Sequence, residues 1–139
     1  MRVCLAVVVV GVLAAASSAS GVVTGPPVIH EPFTALPCPT HPYATTEIEG
    51  CKERALLASD RKLNVLAKRA YGKLMPSARR GFVRSEEGWL EYRRRSCRAQ
   101  ASPSAGGTAN GIEFLACELQ RNASHRTDLK ALLAALSVH

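Results

Sequence analysis

Aromatic side chains are scarce in this 139-residue chain, which has one tryptophan, three tyrosines and three phenylalanines. Proteins that bind single-stranded nucleic acid stack bases on aromatic residues interleaved with basic ones, and no such arrangement occurs here. No constellation of histidine or tyrosine around Glu86, Glu87 and Glu91 assigns acid and base roles to these carboxylates. The sequence therefore predicts neither nucleic-acid binding nor catalysis, and we expect no catalytic residues.

Long apolar runs are absent after the first 20 residues. The apolar run over residues 3–16 is shorter than the roughly 20 residues that span a bilayer. Arg2 precedes this run, and small residues follow it, with a predicted cleavage site near Ala19 or Ser20. No cysteine directly follows the run, as a lipid anchor would require. We therefore predict a signal peptide over residues 1–20 and an exported protein, periplasmic or secreted, with no lipid anchor and no transmembrane segment in the mature chain.

Cysteines outside this segment form an even set, Cys38, Cys51, Cys97 and Cys117. In a short exported chain such a set predicts disulfides, and four cysteines allow three pairings. We favour Cys38–Cys51, between a proline-rich arm and the first helix, and Cys97–Cys117, across the loop before the third helix. A metal site would need closely spaced, reduced thiolates, so neither a metal nor a cofactor is expected.

Hydrophobic spacing divides the rest into an arm and helices. Residues 21–44 hold six prolines, which exclude a helix, and helical spacing begins at Thr45, where Thr46 and Glu49 are spaced as a capping box. Pro76 suits the first turn of a second helix. No stretch alternates as a strand would.

A glycine-rich loop over residues 101–111 separates the second helix from a third, which Thr108 or Asn110 could cap. The fold class is therefore all-α: a small, disulfide-stapled helical hairpin or three-helix domain over residues 45–139, preceded by the arm.

An ordered set of residues runs without gaps from an LN pair to a W-x-x-[YF]-R-x-x-x-C segment, followed by a GG[ST] loop and a last cysteine. The residues of this set are Cys51, Leu63, Asn64, Lys68, Leu74, Pro76, Arg79, Phe82, Trp89 to Arg93, Cys97, Gly106, Gly107, Thr108, Cys117 and Arg126. Their order resembles the pattern of the LprI-like lysozyme-inhibitor family. The chain departs from the pattern at Ala67, Glu86 and Arg94, where the family usually has tyrosine, glutamine and an acidic residue.

The signature residues have structural interpretations. Trp89, the only tryptophan, lies on the apolar stripe and is expected in the core. Arg93 is expected to pair internally with a carboxylate such as Glu86 or Glu49. Asn64 is expected to bond neighbouring backbone or the second helix.

Two functions of different class follow. The resemblance implies a non-catalytic inhibitor that blocks the glycan cleft of a lysozyme, with Gly106, Gly107 and Thr108 as candidate contacts. The net charge, +6 once one basic residue leaves with the signal peptide from the +7 of the whole chain, favours anionic partners. The alternative is therefore a basic envelope-binding or structural module that recognises anionic surface polymer or lipid. Its candidate contacts are the arginines Arg94, Arg95 and Arg98.

Overall fold

Three long helices make up most of the computed structural model, which describes residues 24–33 and 36–138. Helix α1 spans Thr45–Lys73, α2 Pro76–Ala101 and α3 Asn110–Ala135, and a turn of 3₁₀ helix, Ser102–Ser104, follows α2. No strand occurs in the described residues, so the predicted all-α class is confirmed. The predicted signal peptide lies outside them. None of the helices described is long and apolar enough to cross a membrane.

Helix α1 begins with a different cap from the one predicted. Its carboxylate cap is Glu47, which accepts hydrogen bonds from the backbone N–H groups of Tyr43 (2.9 Å) and Ala44 (3.1 Å). These bonds lower the pKa of Glu47. The predicted capping box of Thr46 and Glu49 is wrong, because the helix already begins at Thr45 and Thr46 lies inside its first turn.

A two-residue turn joins α1 to α2. Leu74 and Met75 are extended, and Pro76 occupies the first position of α2, where a missing N–H costs no intrahelical bond. Arg79 donates from Nε to the carbonyl oxygen of Leu74 at 3.1 Å and lies over the ring of Tyr71. The turn folds α2 back towards α1 into an open hairpin, whose two helices make little direct contact with each other.

Helix α3 packs against both helices of the hairpin and has its longer contact with α1. The centre of the apolar core joins Leu63 and Ala67 of α1 to Leu129 of α3, and Phe82 and Trp89 of α2 close over it. The core therefore draws its apolar side chains from all three helices.

Both predicted disulfides are present, Cys38–Cys51 and Cys97–Cys117. The first ties the arm to α1 where Gly50 is buried, and a side chain at Gly50 would run into Leu36 of the arm. The second joins α2 to α3. In the chain-entropy model each link contributes on the order of 3 kcal/mol.

The arm is a fourth layer of the domain. Ile29 packs against the core formed by α1 and α3, and a small cavity is bounded by Pro27 and Ile29 of the arm, Leu63 of α1 and Trp89 of α2. Residues 24–33 therefore lie between the two helices of the hairpin.

Candidate functional site

Arg93 is the centre of a buried polar cluster. Its Nη1 donates to Asp60 Oδ1 and to Asn122 Oδ1, both at 2.8 Å, and its Nη2 donates to Glu31. Its Nε lies 3.5 Å from Glu118 Oε1. The four partners come from the arm, α1 and α3, so this one guanidinium on α2 connects every layer of the fold.

Asn122 completes the cluster from α3. Its side-chain amide donates to Asp60 Oδ1 at 2.7 Å and to Ser59 Oγ at 3.2 Å, while its oxygen accepts from Arg93. Arg93 is 1% exposed and Glu31, the most accessible of its carboxylate partners, is 10% exposed. A dissolved ligand cannot reach groups so enclosed, and the cluster is therefore structural.

Glu118 is the member of the cluster whose carboxyl group makes no hydrogen bond. It is fully buried, and neither carboxyl oxygen has a hydrogen-bond donor. Burial raises its pKa to about 7; Arg93 opposes this rise, and the nearby charges of Glu31 and Asp60 add to it. One guanidinium faces three carboxyl groups here, and a proton on Glu118 relieves part of the excess negative charge.

Arg93 pairs with internal carboxylates as predicted, but its partners are not the predicted Glu86 and Glu49. Glu86 instead lies 3.0 Å from His125, which stacks on Trp89 with 3.9 Å between ring centroids. His125 is mostly covered, because this stack closes the gap between α2 and α3. The other expected partner, Glu49, is not among the contacts of Arg93.

Asn64 fastens the arm to α1. Its oxygen accepts from the backbone N–H of Ile29 at 2.8 Å, and its amide donates to the carbonyl of the same residue at 3.0 Å. The expected partner, neighbouring backbone or the second helix, is wrong, because the bonded backbone belongs to the arm and lies 35 residues away along the chain.

The loop before α3 is exposed at its tip and tied at its base. Gly106 has φ of 82°, a backbone conformation that favours glycine, and Gly107 and Thr108 are exposed. Asn110 donates from its side chain to the carbonyl of Ala101 at 2.7 Å. Neither Thr108 nor Asn110 caps α3 as predicted, because Ala109 is the capping residue and Asn110 begins the helix.

Two further constraints hold the loop base. Ser104 Oγ donates to Glu113 Oε2 at 2.6 Å, and the disulfide Cys97–Cys117 joins the flanking helices. The loop is therefore a fixed projection made of small residues.

The candidate arginines lie beside this loop in the chain, on the last turns of α2. Arg94, Arg95 and Arg98 are all exposed, and Arg94 and Arg98 share a helix face because they are four residues apart. Arg95 donates to Glu91 at 3.2 Å, in a pair whose side chains are 79% and 69% exposed. Arg94 and Arg98 therefore carry the unpaired charge of this face.

The sequence matches the protein family described as Lysozyme inhibitor LprI over residues 38–129, about two-thirds of the chain. The chain belongs to this family. No curated protein and no solved structure matches it. Within the LprI match, Asn64, Trp89 and Arg93 all point into the fold, whereas the loop of Gly106 to Thr108 points outwards.

Acidic, histidine and cysteine side chains are not grouped for metal binding anywhere in residues 24–33 and 36–138. The candidate contact residues that the structure leaves exposed and without an acidic partner are the projecting loop, Arg94 and Arg98. We call these residues, 94, 98 and 105–109, the loop surface.

Proposed function

We propose that the protein is an exported, non-catalytic lysozyme inhibitor and that the loop surface enters the glycan cleft of the enzyme. The family match over residues 38–129 carries the proposal. Two disulfides suit an oxidising compartment outside the cytoplasm, and the apolar segment over residues 3–16 has the form of an export signal.

The shape of the loop supports steric inhibition. Gly106 and Gly107 make a narrow tip, and the disulfide and Asn110 fix its base. A loop that is ordered before binding loses little conformational entropy in the complex, which favours affinity. Inhibition by occlusion requires no chemistry from the inhibitor.

The charge of the loop surface supports its orientation in the cleft. Glycoside hydrolases place two carboxyl groups on either side of the scissile bond, and a guanidinium forms strong, bidentate hydrogen bonds with a carboxylate. Arg94 and Arg98 are exposed and have no acidic partner among the described residues. Because the chain is basic, an acidic or neutral lysozyme is a better electrostatic match than a strongly basic one.

The test is an inhibition titration of the oxidised, exported protein against a panel of acidic and basic lysozymes at physiological salt. Saturating inhibition at equal stoichiometry is expected for at least one acidic or neutral enzyme. Absence of inhibition across the panel would overturn the proposed function.

The surface assignment is tested with charge reversals. The double variant Arg94→Glu with Arg98→Glu should weaken inhibition at least about tenfold, since both changes would place carboxylates against those of the enzyme. The matched control, Arg61→Glu with Lys62→Glu on α1, carries the same change of charge and should inhibit like the unmodified protein. Equal losses in both variants would show that net charge, not the loop surface, governs inhibition.

A further inference from the structure

The outward side of α1 carries a second concentration of positive charge. From Arg61 to Lys73 the helix contains five basic residues and no acidic one. Arg61, Lys62, Lys68 and Arg69 are exposed, and at 100° per residue they fall on the side opposite the buried Leu63 and Ala67. This half of α1 is therefore a basic amphipathic helix.

Helix α3 extends the charged area. Arg126 and Lys130 are one turn apart and face α1 across a shallow groove of about 600 Å³. We call the six basic residues together the α1/α3 basic face: Arg61, Lys62, Lys68, Arg69, Arg126 and Lys130. None of the six forms an ion pair with an acidic side chain in the described part of the chain.

Apolar groups lie between these charges. Ala58, Val65 and Leu66 line the groove, whose polar lining residues are all cationic. Val65 is 57% exposed and also borders a neighbouring hollow of about 570 Å³ between α1 and the arm, where Val28 is exposed. The face thus combines an uncompensated positive rim with solvent-exposed aliphatic side chains.

We propose that the α1/α3 basic face docks the protein on an anionic lipid bilayer. A basic amphipathic helix with aliphatic residues among its cations is the pattern of interfacial membrane binding. Each lysine or arginine near an anionic surface contributes favourably, and exposed valines add contact with the interface. The breadth of the face favours a bilayer over a single small anion, since the cations of α1 alone extend from Arg61 to Arg69, about 12 Å along the helix.

An acidic protein segment is the competing occupant, and the side chains of the face argue against it. Recognition of a particular carboxylate needs donors held in place by neighbouring groups, as they are around Arg93. The long side chains of the basic face have no such support among the described contacts, which suits a fluid array of headgroups.

The face is separate from the loop surface. Asn110 lies at the base of the loop, and Arg126 lies 16 residues further along α3. This separation corresponds to about 24 Å along the helix axis. Docking through α1 and α3 therefore leaves the loop surface free, and the proposal does not depend on lysozyme inhibition.

Vesicle co-sedimentation of the oxidised, exported protein tests the proposal. We expect binding to mixed phosphatidylglycerol–phosphatidylcholine vesicles, little binding to pure phosphatidylcholine vesicles, and a steep loss between ~0.1 M and ~0.5 M salt. Equal binding to both kinds of vesicle, or none to either, would overturn the proposal.

Matched variants locate the binding surface. Arg61→Glu with Lys62→Glu should lower the affinity for anionic vesicles at least about tenfold, from two lost attractions and two new repulsions. Arg94→Glu with Arg98→Glu has the same formal charge and should retain binding within about twofold. A loss of the same size in both variants would refute a localised face. Circular dichroism of each variant confirms that it is folded.

The identity of the partner is tested with Val65→Ser and a soluble polyanion, polyglutamate. On a bilayer Val65 contacts the interface, so Val65→Ser should weaken vesicle binding by about fivefold and leave polyglutamate binding unchanged. Polyglutamate binding that exceeds vesicle binding, or an unchanged vesicle affinity in Val65→Ser, would reject the bilayer in favour of an acidic protein segment.

Discussion

Arg93 and the arginine that follows it differ completely in environment. Arg93 is buried among Asp60, Glu31, Glu118 and Asn122, whereas Arg94 is exposed and has no hydrogen-bond partner among those described. A step of one residue turns a helix by 100°, which is enough to move a side chain from the interior to solvent. Neighbouring arginines of one helix therefore have different environments: Arg93 holds buried carboxylates together, and Arg94 is accessible to solvent.

The largest effect that would test this contrast is the loss of the buried charge. Arg93→Met should reduce the free energy of unfolding by about 3–5 kcal/mol, because it leaves buried carboxylates without a counter-charge. Arg94→Met, the matched control, should change it by no more than about 0.5 kcal/mol. Urea unfolding followed by circular dichroism measures both, and similar values would remove the distinction between the two sites.

A smaller effect concerns the proton on Glu118. The pKa of this carboxyl is about 7 in the folded protein, above the ordinary value of 4.5. The folded state therefore binds more protons than the unfolded state between these values, and its stability falls as the pH rises through them. Relative to Glu118→Gln, the unmodified protein should lose about 3 kcal/mol between pH ~4.5 and ~8.

Urea unfolding of the two proteins across that pH range provides the measurement. The comparison with Glu118→Gln subtracts the titration of the other groups, since the amide keeps the shape of the carboxyl and cannot ionise. Curves of stability against pH that stay parallel would show that folding does not raise the pKa of Glu118.

The smallest effect is expected at the surface pair of Glu91 and Arg95. Both side chains are more than two-thirds exposed, so their attraction is screened by water and salt. Glu91→Ala should shift the free energy of unfolding by less than about 0.5 kcal/mol in thermal or urea unfolding. A loss above about 1 kcal/mol would mean that exposed and buried charges differ less than the structure indicates.

Much of the fold was predictable from the sequence because its signals are local. Proline density marked the arm, Pro76 marked the start of α2, and helical spacing marked the helices. The disulfide pairing was favoured from the order of elements, and the structure confirms it. The start of α1 at Thr45 was predicted, but its cap was misassigned, because Glu47 and Glu49 both offer a carboxylate near the helix end and only the backbone path selects Glu47.

The partners of Arg93 could not be predicted in the same way. Asp60, Glu31 and Glu118 come from three different elements, and spacing along one helix does not give the register between helices. A signal was nevertheless present: Asp60 falls between Leu56 and Leu63 on the buried stripe of α1. Polar residues at such core positions indicate a buried polar cluster. They do not indicate which side chains of different helices are in contact.

The projecting loop was predicted from its glycines, but the α1/α3 basic face was not. The predicted basic contacts were arginines of α2, which lie close together in the sequence. Arg126 and Lys130 join Arg61 and Lys62 only because α3 packs along α1, a contact between residues about 65 positions apart. Surface charge that is assembled from distant parts of the chain becomes visible only in three dimensions.

The stack of Trp89 on His125 gives the domain an intrinsic optical probe. Because Trp89 is the only tryptophan in the chain, all indole emission comes from one place, where α2, α3 and the arm meet. A spectral change therefore reports separation of these three layers specifically, and ultraviolet fluorescence can follow the closing of the arm during refolding without any attached dye.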